Sequence, residues 1–324
     1  MARALVSSAR LPIARLGFEC LPVQIASAGD AAARRFIEFF TATIRNKNTR
    51  LAYAVAVREF FSWCQARGFQ TLDLIEPVVV AAYIDSHPAS KPTVKQHLAA
   101  IRMLFNWLVT GQIMPTNPAA SVRGPSHVVK RGKTPVLTID EARMLIDSID
   151  TSTVIGLRDR ALIGVMVYSF ARVSAAVSMI VEDFYPEGKR WWLRLHEKGG
   201  KRHEVPAHHN ADEYLDAYLK ATDIASDKRS PLFRSIDRIG RITNRGMTRN
   251  DALRMVKRRA AAANLSRKIS CHSFRATGIT AYLENGGTVE NAQAIAAHES
   301  PRTTKLYDRT SDEITLDEIE RITI

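Results

Sequence analysis

The residues able to do chemistry come late in the chain and in a fixed order: Arg172, Lys198, His272, Arg275, His298 and Tyr307. Nine positions separate His298 from Tyr307, and His272-Ser273-Phe274-Arg275 sets an imidazole three positions before a guanidinium. A phosphodiester under attack gathers negative charge on its nonbridging oxygens. Two guanidinium forks, Arg172 and Arg275, can hold those oxygens bidentately and stay protonated at any working pH. A free phenol has a pKa of about 10, so roughly one Tyr307 in a thousand is ionised at pH 7 unaided. His272 is the side chain suited to take that proton, because imidazole titrates near neutrality. Together the set fits metal-free attack of a tyrosine on a phosphodiester, with DNA as the expected target.

The composition agrees with a polyanionic partner. Lys and Arg outnumber Asp and Glu by 46 to 33, a formal charge of +13, and cationic surfaces gain affinity for nucleic acid by releasing counterions. At 324 residues with 46% hydrophobic content, the chain has material for two packed cores. Cys20, Cys64 and Cys271 are widely spaced, with no metal-knuckle or redox pair among them. A reducing cytoplasm, in association with the nucleoid, is the expected location. The sequence has no apolar run of the roughly 18 residues a membrane helix needs, and its first thirty residues lack the apolar block of a secretory signal. Arg3, Arg10 and Arg15, with no acid before Glu19, resemble a transit peptide, but a loosely ordered extension is the expected form.

The elements that must position the six residues follow from pattern. Residues 1–28 are read as the extension and 29–122 as a helical bundle. In the bundle, Asn48 is the expected cap of a helix carrying Leu51, Val55 and Phe60-Phe61 on one side and ending at Gly68. A second helix starts near Pro92 and Thr93, repeats Leu98, Ile101, Phe105 and Leu108, and stops at Gly111. Residues 123–135 form a basic connector. Its Gly132-Lys133-Thr134 imitates the end of a phosphate-binding loop, yet His127 stands where that loop needs glycine, and Pro135 disfavours helix at Thr134.

Residues 136–324 open with a capping box, Thr138 and Glu141. Apolar helices are expected over Leu157–Phe170 and from Arg172 through Ile180. Trp191–His196 and Arg202–Pro206 read as a β-hairpin with Lys198 at its glycine-rich tip. Further helices are expected over Asp212–Leu219, Thr248–Ala263 and Val289–Ala297. The chain should be mainly α, with one small antiparallel sheet.

In order and spacing, residues 136–310 resemble the catalytic domain of the tyrosine recombinases, the phage integrases and Xer-like enzymes. The motifs are Ser169-Phe170-Ala171-Arg172-Val173-Ser174, the hairpin Lys198, His272-Ser273-Phe274-Arg275, and His298 with Tyr307. The preceding bundle resembles that family's core-binding domain. The resemblance implies a site-specific DNA recombinase working through a 3′-phosphotyrosyl intermediate. Lys198 would protonate the departing 5′ oxygen and His298 would hydrogen-bond the phosphate. It also implies double-stranded DNA with an inverted-repeat site, a dimer per site, and a homo-tetramer on paired sites that passes through a Holliday junction. The covalent ester conserves the bond energy, so neither ATP nor metal is expected. Three positions depart from the pattern: Ala175 replaces an acid, and Phe170 and Ala297 each replace a glycine.

Each residue taken singly has a plainer reading. Arg172 could pair with Asp159 or Asp183, His272 could cap a helix, Lys198 could be a solvated turn lysine, and Tyr307 could cover the core with its hydroxyl in water. Asp183 is the expected substitute for the acid missing at Ala175. A type IB topoisomerase uses a similar set, and a DNA-binding protein with a lapsed site is a third reading. Between Arg241 and Arg275, ten Lys and Arg residues face Asp251 alone. Leu253, Val256, Ala260 and Ala263 form the apolar stripe that turns those cations outward. Arg241, Arg245 and Lys257 there, with Lys47, Arg50, Lys91, Lys95 and Arg102 in the bundle, are the expected DNA-backbone contacts. The adjacent His208 and His209 are expected to point apart and lack ligand-spaced partners, so no metal site is expected. The acidic tail from Ser311 to Ile324 would dock either on its own domain or on a neighbouring protomer.

Overall fold

In the computed structural model, residues 20–127, 132–197 and 202–308 are described. The chain divides into two compact units, Met1–Val128 and Val129–Ile324. Lys198, Lys130 and Arg131 of the connector, and the acidic tail from Ser311 to Ile324 lie outside the described residues.

The first unit is helical, with helices Val23–Ser27, Gly29–Glu38, Lys47–Ala66, Pro77–Asp85 and Lys91–Thr110, and a π-helical turn at Phe39–Thr43. It begins earlier than the sequence suggested. Ile25 is fully buried, and Gln24 donates to the carbonyls of Phe61 and Phe69 at 3.2 and 2.7 Å, so residues 23–27 belong to the bundle rather than to an extension. Asn46, not Asn48, caps the third helix, accepting from the Asn48 and Thr49 amides at 3.0 and 3.1 Å. The buried stripe of that helix is Ala54, Val57, Phe60, Phe61 and Cys64, whereas Leu51 and Val55 are exposed. Phe60, Phe61 and Phe105 pack mostly edge to face around its centre, each burial worth about 1.5–3 kcal/mol.

Glu59, His87 and His97 of this unit bring potential ligand atoms within 4.8 Å of one another. Their hydrogen bonds speak against a cation there. The Ala89 amide donates to His87 Nδ1, which leaves the ring proton on Nε2, and that nitrogen lies 3.1 Å from His97 Nδ1. The imidazole lone pairs a metal would use are engaged within the protein, and the Glu59 carboxylate is exposed.

The second unit is mostly helical: Ile139–Asp147, Val154–Tyr168, Val173–Val177, His209–Thr222, Arg249–Ala262, Cys271–Glu284, Val289–Ile295 and Pro301–Lys305. The first of these starts at the capping box, with Thr138 and Glu141 exchanging bonds of 2.8 and 3.1 Å. The helix after Arg172 stops at Val177, short of Ile180. An antiparallel sheet joins β1 (Phe184–Glu187), β2 (Arg190–His196) and β3 (Arg202–Pro206) in that order. A second pair, β4 (Arg234–Ile236) and β5 (Ile242–Gly246), was not anticipated.

Two features of this unit bear on the site. Gly278 lets the Cys271–Glu284 helix lie against the Val154–Tyr168 helix, because a Cβ there would stand 2.1 Å from the Val167 carbonyl oxygen. Asp159, fully buried, accepts from Arg158, Arg258 and Arg259 at 2.6–2.9 Å. It is therefore not the partner of Arg172. No helix among the described residues is long and apolar enough to cross a membrane.

Candidate active site

Five of the six chemistry-bearing residues lie in the described part of the second unit, and the fold gathers them. His272 and Arg275 share the first turns of the Cys271–Glu284 helix, three positions apart and so on one face. His272 Nε2 lies 2.7 Å from the Tyr307 hydroxyl. The His298 ring stacks on the Tyr307 ring with centroids 5.8 Å apart and planes 8° off parallel. Tyr307 follows the short Pro301–Lys305 helix and is fixed by its backbone: its amide donates to Thr304, and its carbonyl accepts from the Thr280 hydroxyl at 2.8 Å. Tyr307 is 7% exposed and its hydroxyl meets His272, so the plainer reading of a hydroxyl in water does not hold.

Arg275 is 1% exposed and donates to the backbone carbonyls of Phe170 and Ala296, the latter at 2.6 Å. The two positions where glycine was expected explain how those carbonyls are aimed. Phe170 has φ 53° and Ala297 has φ 48°, both left-handed. The conformation glycine would supply freely is thus adopted by larger residues, at about 1–2 kcal/mol each.

Arg172 is the N-cap residue of the Val173–Val177 helix, and its Nη1 donates to Glu197, the residue just after β2. Asp183, the expected substitute carboxylate, is engaged elsewhere: it accepts from the Ile180 amide at 3.0 Å and lies 3.4 Å from His196. Glu197 escaped sequence reading. Its only advance signal was position, next to Lys198.

The electrostatics set the protonation states. Burial raises the Tyr307 pKa above 10, while the charges of Arg275 and Arg172 and a hydrogen bond from Arg275 pull it back. Burial and the two arginines lower His272 below 6.5. The same causes push His298 down to about 3, and its Nδ1 lies 2.9 Å from the Thr304 hydroxyl. Arg275 falls to about 10, through burial first and then Arg172, and so stays charged at neutral pH. Near pH 7 the site holds two neutral imidazoles, a neutral phenol and a guanidinium pair: a base beside a nucleophile, in a field that favours anions.

The phage integrase family model matches residues 135–313, and its N-terminal SAM-like domain matches residues 34–112. The chain belongs to the phage integrase family. Tyrosine recombinase XerC of Chlamydia pneumoniae is 30% identical over 233 residues, covering 72% of each chain. Tyrosine recombinase XerD of Listeria monocytogenes serotype 4b (strain F2365) is 27% identical over 264 residues, covering 80% of this chain and 87% of the relative. In fold, the chain resembles the XerH site-specific recombinase bound to palindromic difH substrate in a post-cleavage complex. The TM-score is 0.68 at 18% identity, over 94% of this chain and 91% of that one. It also resembles a lambda integrase tetramer bound to a Holliday junction, with TM-score 0.63 and 18% identity, over 97% and 88%. This chain is a tyrosine-type site-specific recombinase that cuts and rejoins DNA, and topoisomerase-type relaxation is set aside.

The expected DNA contacts divide on inspection. Lys47, Lys91, Lys95, Arg241 and Arg245 are exposed. Arg50 and Arg102 are half-buried and spent on the protein's own carbonyls: Arg50 on Ile44 at 2.7 and 3.0 Å, Arg102 on Ala119 at 2.9 Å and on Val122. Lys257 is exposed but donates to the Arg267 carbonyl. Within the expected stripe Leu253 is exposed, and Ala252 and Met255 are buried in its place.

Proposed function

We propose that Tyr307 is the nucleophile and that Arg172, Lys198, His272, Arg275 and His298 serve its attack on one DNA strand. The Tyr307 oxygen forms a bond to phosphorus as the bond from phosphorus to the 5′ oxygen breaks, leaving a 3′-phosphotyrosine and a 5′ hydroxyl. His272 Nε2 takes the phenol proton. Lys198 gives a proton to the departing oxygen, Arg172 and Arg275 hold the nonbridging oxygens, and His298 donates a hydrogen bond to the phosphate. Attack by the 5′ hydroxyl of a partner strand reverses the step, so the bond energy is kept.

The observation that carries this reading is the 2.7 Å contact between His272 Nε2 and the Tyr307 hydroxyl. Burial alone would leave the phenol far too protonated to react, and the contact supplies a base already lowered into its neutral form.

For DNA, the exposed cations Lys47, Lys91, Lys95, Arg241 and Arg245 are the backbone contacts. Lys47 and Lys91 open two long helices that have no acid in the first turn. Cations there oppose the helix dipole, an arrangement that suits an approaching phosphate. The DNA complexes of the structural relatives, a lambda integrase tetramer on a Holliday junction among them, support a reading in which this chain assembles as a dimer on each inverted-repeat site and a tetramer on paired sites, in the cytoplasm with the nucleoid.

The test is single-turnover cleavage of a suicide substrate nicked beside the scissile phosphate. Tyr307→Phe should abolish the covalent adduct, and Arg275→Ala and Arg172→Ala should each slow it by a factor on the order of 100 or more. Normal adduct formation by Tyr307→Phe overturns the proposal.

A further inference from the structure

We infer that Glu197 is a positioning residue of this active site: its carboxylate holds the Arg172 guanidinium in place, the task an acid at position 175 would otherwise perform. The inference rests on the proposed phosphate-holding role of Arg172.

The two arginines are supported very differently. Arg275 is pinned by two backbone carbonyls and is shut away from solvent. The Arg172 side chain is 32% exposed, and Glu197 is its one hydrogen-bonded partner among the described residues. A free arginine side chain samples many rotamers, so without an anchor it would not be prearranged for a phosphate.

Position 175 shows what is missing. It is the third residue of the helix that Arg172 caps and is fully buried. A glutamate there would fold back on the N-cap residue as in a capping box, bringing a carboxylate beside Arg172. The alanine methyl cannot. Glu197 reaches the same guanidinium from 25 positions further along the chain. Its side chain is 4% exposed, so its charge is balanced locally and not by water.

The contact also leaves room for substrate. Glu197 uses only Nη1. Nε and Nη2 of Arg172 have no hydrogen-bonded partner among the described residues, and that edge is the fork a phosphate accepts. The other carboxylates nearby are committed: Asp183 to Ile180, His196 and Arg194, and Glu204 to Arg194 at 2.8 Å. Glu197 therefore acts through Arg172 and need not touch DNA.

The experiment compares the full-length wild type with Glu197→Gln, Glu197→Ala and the double variant Ala175→Glu/Glu197→Ala, in single-turnover cleavage of the nicked suicide duplex and in gel-shift affinity for the same duplex. Both single variants should slow cleavage between about tenfold and a hundredfold, with affinity unchanged within about threefold. The double variant should recover at least about fivefold over Glu197→Ala. A duplex with bridging sulfur in place of the 5′ oxygen separates the neighbouring Lys198, because a thiolate departs without a proton. Cleavage by Glu197→Gln should remain slow on that duplex. Wild-type rates in the single variants, restoration by sulfur, or no recovery in a folded double variant overturns the inference. If the double variant does not fold, Glu197→Gln on the two duplexes decides. A wild type that forms no adduct removes the role of Arg172 itself, a different result from wild-type rates in the Glu197 variants.

Discussion

The two left-handed turns that aim carbonyls at Arg275 make an unusually sharp prediction, because the same backbone argument gives opposite signs at the two positions. Ala297 at φ 48° and Phe170 at φ 53° both sit where glycine is unstrained. Glycine at 297 relieves about 1–2 kcal/mol of left-handed strain and returns about 0.4–1 kcal/mol as extra freedom of the unfolded chain. Ala297→Gly should therefore stabilise by about 0.5–1 kcal/mol. In a unit of this size that raises Tm by roughly 1–4 °C. Phe170→Gly gains the same relief but loses a ring that is 4% exposed and clustered with Ala276, Ile279 and Leu283. Such losses cost about 3–5 kcal/mol, so the net is about 2–4 kcal/mol of destabilisation and a Tm lower by roughly 5–15 °C. Scanning calorimetry of the full chain reads both. A lower Tm in Ala297→Gly, or a higher one in Phe170→Gly, would refute the account of how these turns are built.

Gly132 donates its amide to the Leu306 carbonyl, and a Cβ there would stand 2.5 Å from that oxygen. Gly132→Ala should shift the segment carrying Tyr307 and slow cleavage by about tenfold or more with little change in DNA affinity, measured by single-turnover assay and gel shift. Acid should destabilise the fold. His97, His272 and His298 are held below 6.5 when folded, His298 at about 3, so the unfolded chain binds more protons. Stability is then complete above about pH 6.5 and is lost as pH falls toward the folded values, at about 2 kcal/mol from His298 alone by pH 5. Urea unfolding at pH 7.5 and pH 5 checks this, and equal midpoints would contradict it. Single-turnover cleavage should hold its rate down through pH 6.5, because burial and the arginines keep His272 neutral there. An acidic limb already developed at pH 7 would count against His272 as the base.

The candidate residues stand out in the sequence because the chemistry proposed for them belongs to side-chain type and order. The fold then gathers Arg172, His272, Arg275, His298 and Tyr307 around one phenol. Caps and periodic helices were readable for a similar reason, the Thr138–Glu141 box and the Lys91–Thr110 helix being local patterns. What escaped depends on distant partners. The Cys271–Glu284 helix is buried almost all round, with Thr277, Gly278 and Thr280 inside it, so it has no polar face to give a period. β4 and β5 are short and carry Arg234, Asn244 and Arg245, with little alternation to mark them. Leu51 and Val55 read as core-facing because large apolar side chains suggest burial, yet the close-packed face of that helix takes Ala54. Glu197 carries no local signal, because its contact with Arg172 spans 25 positions of chain.

The most direct test of the central claim is the identity of the trapped linkage. A suicide duplex should leave a DNA-bound peptide whose mass and fragmentation place a 3′-phosphate ester on the Tyr307 oxygen. An ester on another residue, or none from a protein that binds the duplex, would contradict it.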